Sequence, residues 1–128
     1  KGDLISAFPF PNTVVITKLK GSQVKKIFDH AAGMTNGILQ VSENVRYSFS
    51  PGNTAQQIVI NGELLNDSQE YWVAAPNFVT QGGDGYLEFN NSLEYIDSGV
   101  LVVDATEFFL KSIETYQPKY DGRIEVLD

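Results

Sequence analysis

Short strand-like segments, interrupted by stretches of helical apolar spacing, constrain the fold of this chain most strongly. Residues 13–20, TVVITKLK, and residues 70–75, EYWVAA, are rich in β-branched and aromatic side chains and predict strands. After Gly21 the apolar residues recur at positions i, i+3, i+4 and i+7, namely Val24, Ile27, Phe28 and Ala31. This spacing predicts a helix with Ser22 as its N-cap and Gly33 at its end.

The remaining segments complete an α+β pattern. Further strands are predicted over residues 38–42, 45–50, 57–63 and 122–127, and Asn61-Gly62 predicts a tight turn. A second helix is predicted from 97–99 to Pro118, with an inner face of Leu101, Ala105, Phe108, Ser112 and Tyr116. Hairpins mixed with crossover helices indicate a mixed β-sheet with helices packed against it. At 128 residues, the chain is expected to form a single domain over residues 1–128.

Composition limits the chemistry that this chain can perform. It has no Cys, one His (His30) and a net charge of −7. These counts exclude disulfides, a thiolate nucleophile, Cys-ligated metals and a His-rich metal centre, and a Ser-His-Asp triad would need His30. The negative charge argues against a nucleic-acid duplex or an anionic membrane as the main partner. No apolar run approaches the roughly 20 residues of a transmembrane segment.

The first segment that could carry chemistry is PNFVTQGGDGY, residues 76–86. Glycines allow positive φ angles and close approach of the backbone to a ligand. An ionised aspartate such as Asp84 only accepts hydrogen bonds, which suits a ligand with paired hydroxyls. The alternative is an ordinary turn in which Asp84 caps the backbone and Phe78 belongs to the core. Taken alone, the segment favours the alternative, because short motifs match by chance.

The second such segment is FPFPNT, residues 8–13. Pro9 and Pro11 restrict the backbone around Phe10, and a rigid exposed aromatic ring suits stacking on a planar ligand. The alternative is a loop held in the core by Phe8 and Phe10.

Five segments, in the same order and spacing, resemble the C-terminal domain of the 5′-nucleotidase family: GDLISAFPFPNTVV, KLKGSQVKKIFDHAAG, LQVSENVRYSFSP, VINGELLNDSQEYWVA and PNFVTQGGDGY. Members of this family hydrolyse nucleotides, UDP-sugars or 2′,3′-cyclic nucleotides. The last segment is the most specific, since an Asn-Phe pair and Gly-Gly-Asp-Gly follow a strand there.

The resemblance implies roles for individual residues. Phe10 and Phe78 match the two aromatic residues that sandwich the nucleobase. Asn12 matches a residue that binds the edge of the base, and Asp84 matches the acid that binds the ribose hydroxyls. The loops that support this site would include Pro9, Asn77, Gly82, Gly83 and Gly85. No catalytic and no metal-binding residue is expected in this chain.

Two positions depart from the family pattern. Pro-Phe-Gly-Asn of the family reads Pro-Phe-Pro-Asn here, so Pro11 fixes φ where glycine would be free. The base contact of Asn12 is the role that this change affects most. Gln81 replaces an Asn or Ser of other members, which would alter the preference for base or sugar.

The resemblance also implies a larger protein. Family members carry an N-terminal metallophosphoesterase domain that binds two divalent metal ions, and its ligands have no counterpart here. The family's Asn-Gly-Gly-Gly-(Ile/Val)-Arg stretch is also missing, so the chain is expected to be a fragment that begins just after it. The fragment should need no cofactor of its own and should be inactive alone. The parent enzyme would be periplasmic, cell-surface or secreted.

Two other functions remain open from the sequence. The chain could be a non-enzymatic extracellular binding or interaction module that uses the same fold. It could also be a stand-alone hydrolase that uses His30, although no serine or carboxylate near His30 in the sequence suggests a triad.

Overall fold

A computed structural model describes residues 11–34, 37–113 and 120–127. The elements of these residues are β1 (Thr13–Lys20), α1 (Gly21–Gly33), β2 (Val45–Phe49), β3 (Ala55–Ile60), β4 (Glu63–Leu64), β5 (Glu70–Pro76), α2 (Asn77–Thr80), two 3₁₀ turns (Gly83–Gly85 and Leu87–Asn91), β6 (Glu94–Leu101), α3 (Val102–Lys111) and β7 (Ile124–Val126).

The chain divides into two compact units, and the first comprises Lys1–Lys18 and Trp72–Lys119. Its three-stranded sheet has the order β5-β1-β6. Strands β1 and β6 pair antiparallel, with Thr17 opposite Tyr95. Val15 and Thr17 are completely buried, and the Thr17 hydroxyl donates to the carbonyl oxygen of Val73 at 2.9 Å. The buried face of this sheet therefore lies on the side of Val15 and Thr17.

The second unit comprises Leu19–Tyr71 and Tyr120–Asp128. Its four-stranded sheet has the order β4-β3-β2-β7, with β2–β7 parallel and the other pairs antiparallel. All four apolar residues predicted for the inner face of α1 are buried. Phe28 among them meets Tyr47 of β2 edge to face, with ring centroids 4.9 Å apart. The predicted α+β class is confirmed, and the sheet of the second unit is mixed, but the strands form two sheets where the sequence predicted one.

The start of α1 differs from its prediction. Lys20, not Ser22, is the N-cap residue, and its backbone N–H donates to Oε1 of Gln23 at 2.7 Å. The next position, Gly21, requires glycine because a Cβ there would lie 1.9 Å from the carbonyl oxygen of Asn66. The cap at the start of this helix thus involves Lys20 and Gln23 instead of Ser22, and the glycine at position 21 reflects the close approach of the backbone at Asn66.

The strand predicted over residues 38–42 is also wrong. The structure shows no strand over these residues. Carbonyl groups of the segment accept hydrogen bonds from side chains instead. The Tyr47 hydroxyl donates to Leu39, and Nη1 of Arg123 donates to Val41. The turn at Asn61-Gly62 is confirmed, with φ of 53° and 82° at the two residues.

The second predicted helix begins later than expected. Residues 97–101 belong to β6, because they continue the pairing with β1, and α3 starts at Val102. The predicted inner face is wrong at Phe108, which is 78% exposed, and at Ser112, which is also exposed. The half-buried stripe contains Val103, Thr106 and Leu110 instead. Tyr116 and Pro118 lie outside the described residues.

Candidate functional site

The segment 76–86 follows directly from the end of a strand in the first unit. β5 ends at Pro76, and the four residues of α2 form a single helical turn. The N–H of Gln81 donates to the carbonyl of Asn77 at 2.9 Å, and the N–H of Gly82 donates to that of Val79 at 3.0 Å. These bonds close the turn, so the backbone enters the glycine-rich segment that follows in a fixed direction.

Phe78 presents its ring at the surface of this turn. The side chain is 51% exposed, so the alternative in which Phe78 is a core residue does not hold. A Cβ placed on Gly83 would lie 2.5 Å from Cε1 and 2.6 Å from Cζ of Phe78. The ring therefore lies directly against the backbone of Gly83, five residues later in the chain.

Asp84 follows in an unusual backbone conformation. Its φ of 55° and ψ of 23° are left-handed, which asparagine and aspartate tolerate better than most side chains do. Gly82 and Gly85 on either side also have positive φ, 97° and 81°. The Asp84 side chain is exposed. The turn that contains these glycines thus holds the Asp84 carboxylate at the surface.

Tyr86 links this loop to the interior of the first unit. Its ring is buried, and burial raises the pKa of its phenol above the usual value of 10.0. The negative charge of Asp84 raises the pKa of Tyr86 further. The Asp84 carboxylate is therefore close enough to act electrostatically on a buried neighbour.

Asn12 lies in a segment that is attached to the same turn. Its carbonyl oxygen accepts from the N–H of Val102 at 2.8 Å. The next amide, the N–H of Thr13, donates to Oδ1 of Asn77 at 3.2 Å. The Asn77 side chain thus joins the segment of Asn12 to the turn of Phe78. The sequence interpretation missed this bond, because it treated Asn77 only as part of a supporting loop.

All described members of the predicted site belong to the first unit. These are Asn12, Asn77, Phe78, Gly82, Gly83, Asp84 and Gly85. Pro9 and Phe10 lie outside the described residues. Within residues 11–34, 37–113 and 120–127, no group of three or more His, Asp or Glu side chains is arranged to hold a metal ion. None of the helices in these ranges is long and apolar enough to cross a membrane.

A cleft of about 330 Å³ begins where α2 ends. Its lining residues are Thr80, Gln81, Phe89, Asn90, Ser92 and Tyr95. The buried Thr80 hydroxyl and the Tyr95 hydroxyl are hydrogen-bonded at 2.8 Å across its floor. Gln81, which departs from the family pattern, therefore lines a cleft on the same loop as Phe78 and Asp84.

Similar proteins support one family. The chain is 30% identical to the trifunctional nucleotide phosphoesterase protein YfkN of Bacillus subtilis, over 97% of this chain and 9% of that protein. It is also 30% identical to the 5′-nucleotidase of Homo sapiens, over 96% of this chain and 24% of that protein. The chain thus spans less than a quarter of either relative's length.

Solved structures show the same fold. The crystal structure of a 5′-nucleotidase precursor from Thermus thermophilus matches with a TM-score of 0.91 and 26% identity, over 99% of this chain and 27% of that chain. The NAD nucleotidase of Haemophilus influenzae matches with a TM-score of 0.80 and 21% identity, over 99% of this chain and 26% of that chain. The family described as "5'-nucleotidase, C-terminal domain" matches residues 1–91, well over half of the sequence. The chain therefore belongs to the 5′-nucleotidase C-terminal domain family.

Proposed function

We propose that the first unit binds the nucleoside part of a nucleotide. In this proposal Phe10 and Phe78 stack on the two faces of the base, Asn12 binds its edge, and Asp84 accepts hydrogen bonds from the ribose hydroxyls. Family membership supports the substrate class, because two relatives are named as a nucleotide phosphoesterase and a 5′-nucleotidase.

One structural observation carries the proposal. A half-exposed phenyl ring and an exposed carboxylate lie on the same short loop, six residues apart, with their backbone fixed by glycines. Stacking on an aromatic ring contributes about 1–3 kcal/mol per base. An ionised carboxylate has two acceptor oxygens, which can accept from two adjacent hydroxyls. Backbone strain of the kind seen at Asp84 is concentrated at functional sites.

We further propose that residues 1–128 are one part of a larger phosphoester hydrolase. Attack of water on a phosphate at neutral pH is commonly activated by two metal ions about 3.5–4 Å apart. The described residues do not fit such a pair, so we assign both divalent metal ions to an N-terminal metallophosphoesterase domain. This chain would hold base and ribose while that domain cleaves the phosphate.

The location outside the cytoplasm is part of the same proposal. One relative is by its name a snake venom 5′-nucleotidase, 28% identical over 98% of this chain. We infer a periplasmic, cell-surface or secreted parent protein, which fractionation of cells that express it will test.

Adenosine titration of the 128-residue chain, followed by NMR, tests the binding proposal. Phe78→Ala and Phe10→Ala should each weaken binding by roughly 5- to 150-fold, the equivalent of one lost stacking ring. Phe108→Ala is the matched control, because Phe108 is also an exposed phenylalanine of the first unit but belongs to α3. Its replacement should leave the affinity unchanged.

The opposite pattern would reject the site. If adenosine at millimolar concentration shifts no resonance, or if Phe108→Ala weakens binding as much as Phe78→Ala, the loop is not a nucleoside site. A non-enzymatic interaction module would then be the better account. The same sample should release no phosphate from AMP with added Mg²⁺, Mn²⁺ or Zn²⁺, and metal-dependent release would contradict the assignment of catalysis to another domain.

A further inference from the structure

We propose that Gly83 is a positioning residue that sets the orientation of the Phe78 ring; the inference rests on the proposed nucleoside site. The backbone of Gly83 lies against the ring at Cε1 and Cζ. One side of the half-exposed ring is thus supported by the chain itself. The other side remains available to a planar ligand.

The reason for glycine at this position differs from the reason at its neighbours. Gly82 and Gly85 have φ of 97° and 81°, values that side chains rarely adopt. Gly83 is not among the residues with positive φ, so its backbone would accept any side chain. What excludes a side chain is the space that Phe78 occupies. Gly83 therefore leaves room for both the ring and the carbonyl oxygen of Phe78, and is not needed for a positive φ.

A methyl group at Gly83 would have to displace Phe78. Its Cβ would lie 2.5 Å from ring atom Cε1 and 2.5 Å from the Phe78 carbonyl oxygen, whereas ordinary contacts are 3.4 Å or longer. To restore an ordinary contact the ring must move by about 1 Å, and a ring displaced from its stacking position loses part of the stacking energy. The turn around Asp84 keeps its own glycines, so the ribose contact is the less affected part of the site.

The test compares adenosine affinities of the 128-residue chain in a double-mutant cycle of Gly83→Ala and Phe78→Ala. Gly83→Ala alone should weaken binding by roughly tenfold, within the range for loss of a stacked ring. In the Phe78→Ala background the same change should weaken binding much less, because only the contact with the backbone carbonyl oxygen at position 78 remains. Gly99→Ala is the control, because Gly99 has φ of 73° with nothing within 4 Å of its Cβ position. It should lower the melting temperature without changing the affinity.

The outcomes separate the two proposals. Failure of the wild-type chain to bind adenosine would reject the nucleoside site itself. If the wild type binds but Gly83→Ala retains full affinity, or weakens binding equally with and without Phe78, the positioning role is rejected. If the Gly83→Ala variant does not fold, a measurement on the wild-type chain still tests the inference. Strong NOEs from the Hα protons of Gly83 to the Phe78 ring are expected, and their absence would overturn the inference.

Discussion

Asp84 is the residue at which backbone strain and electrostatics coincide. Its left-handed conformation costs an ordinary side chain roughly 1–2 kcal/mol, and its charge acts on the phenol of the buried Tyr86. Both effects arise from the turn that Gly82 and Gly85 create. The family resemblance, and not the segment taken alone, selects Asp84 from the sequence. The sequence does not show that the backbone of Asp84 is strained or that the charge of Asp84 raises the pKa of Tyr86.

Replacement of Asp84 should change the titration of Tyr86. Burial and the Asp84 charge both raise the pKa of Tyr86 above 10.0. Asp84→Asn removes the charge and keeps a residue that tolerates positive φ, so the pKa should fall but stay above 10.0. The folded state favours the neutral phenol, so Tyr86 stabilises the fold below pH 10 and this contribution disappears as the pH rises through the folded-state pKa. NMR titration of the Tyr86 ring resonances measures this. An unchanged pKa in Asp84→Asn would show that the two groups do not interact.

Gly83 illustrates what a residue-scale prediction could not provide. The sequence interpretation grouped Gly82, Gly83 and Gly85 together as parts of a loop that supports the site. In the structure only Gly82 and Gly85 need positive φ, whereas Gly83 makes room for a ring five positions earlier. That distinction depends on the direction in which α2 sends the Phe78 side chain, and spacing alone does not show it.

At the scale of elements, the contact between β1 and α2 depends on one side-chain hydrogen bond. Oδ1 of Asn77 accepts from the N–H of Thr13, at the first residue of β1. Asn77→Ala should lower the free energy of unfolding by about 1 kcal/mol and speed hydrogen exchange of the Thr13 amide. Asn77→Asp keeps an acceptor oxygen and should retain the protection of that amide. Equal exchange rates in all three proteins would show that this bond does not hold the start of β1.

Two phenylalanines on different helices should respond oppositely to truncation. The sequence assigned both Phe28 and Phe108 to inner faces, but Phe28 is 7% exposed and Phe108 is 78% exposed. Phe28→Ala should therefore cost about 3–5 kcal/mol of unfolding free energy. Phe108→Ala should change it by about 0.5 kcal/mol or less. Urea denaturation measures both, and a large loss in Phe108→Ala would mean that α3 packs through the face predicted from the sequence.

The elements that were predicted well from the sequence were predicted well for the same reason. β1, α1 and β5 combine a clear period with strong boundaries, such as the glycine after β1 and the proline at the end of β5. α3 was misplaced because Val103, Phe108, Phe109 and Leu110 are all apolar, so several faces fit the helical period equally well. The segment 38–42 was misassigned because its apolar residues resemble a strand, while side chains of Tyr47 and Arg123 satisfy its carbonyls.

For the whole molecule, the fold class and the family could be predicted from the sequence. The division of the chain into two compact units could not. The sequence predicted one mixed sheet, whereas the strands form two sheets, one in each compact unit. The periodicity of a strand does not specify which other strand it pairs with. An example is β2, which pairs with β7 from the far end of the chain. The family could be recognised because its motifs are short, ordered and local. The net charge of −7 agrees with the proposal that this part binds the nucleoside and that positive groups elsewhere bind the phosphate.

The measurement that tests the central claim most directly is an intermolecular NOE experiment on the chain saturated with adenosine, with phenylalanine rings labelled. Stacking predicts NOEs from the adenine H2 and H8 protons to the ring protons of Phe78. These NOEs should disappear in Phe78→Ala while the chain remains folded. NOEs to Phe28, Phe49, Phe89 or Phe108 alone, with none to Phe78, would contradict the account.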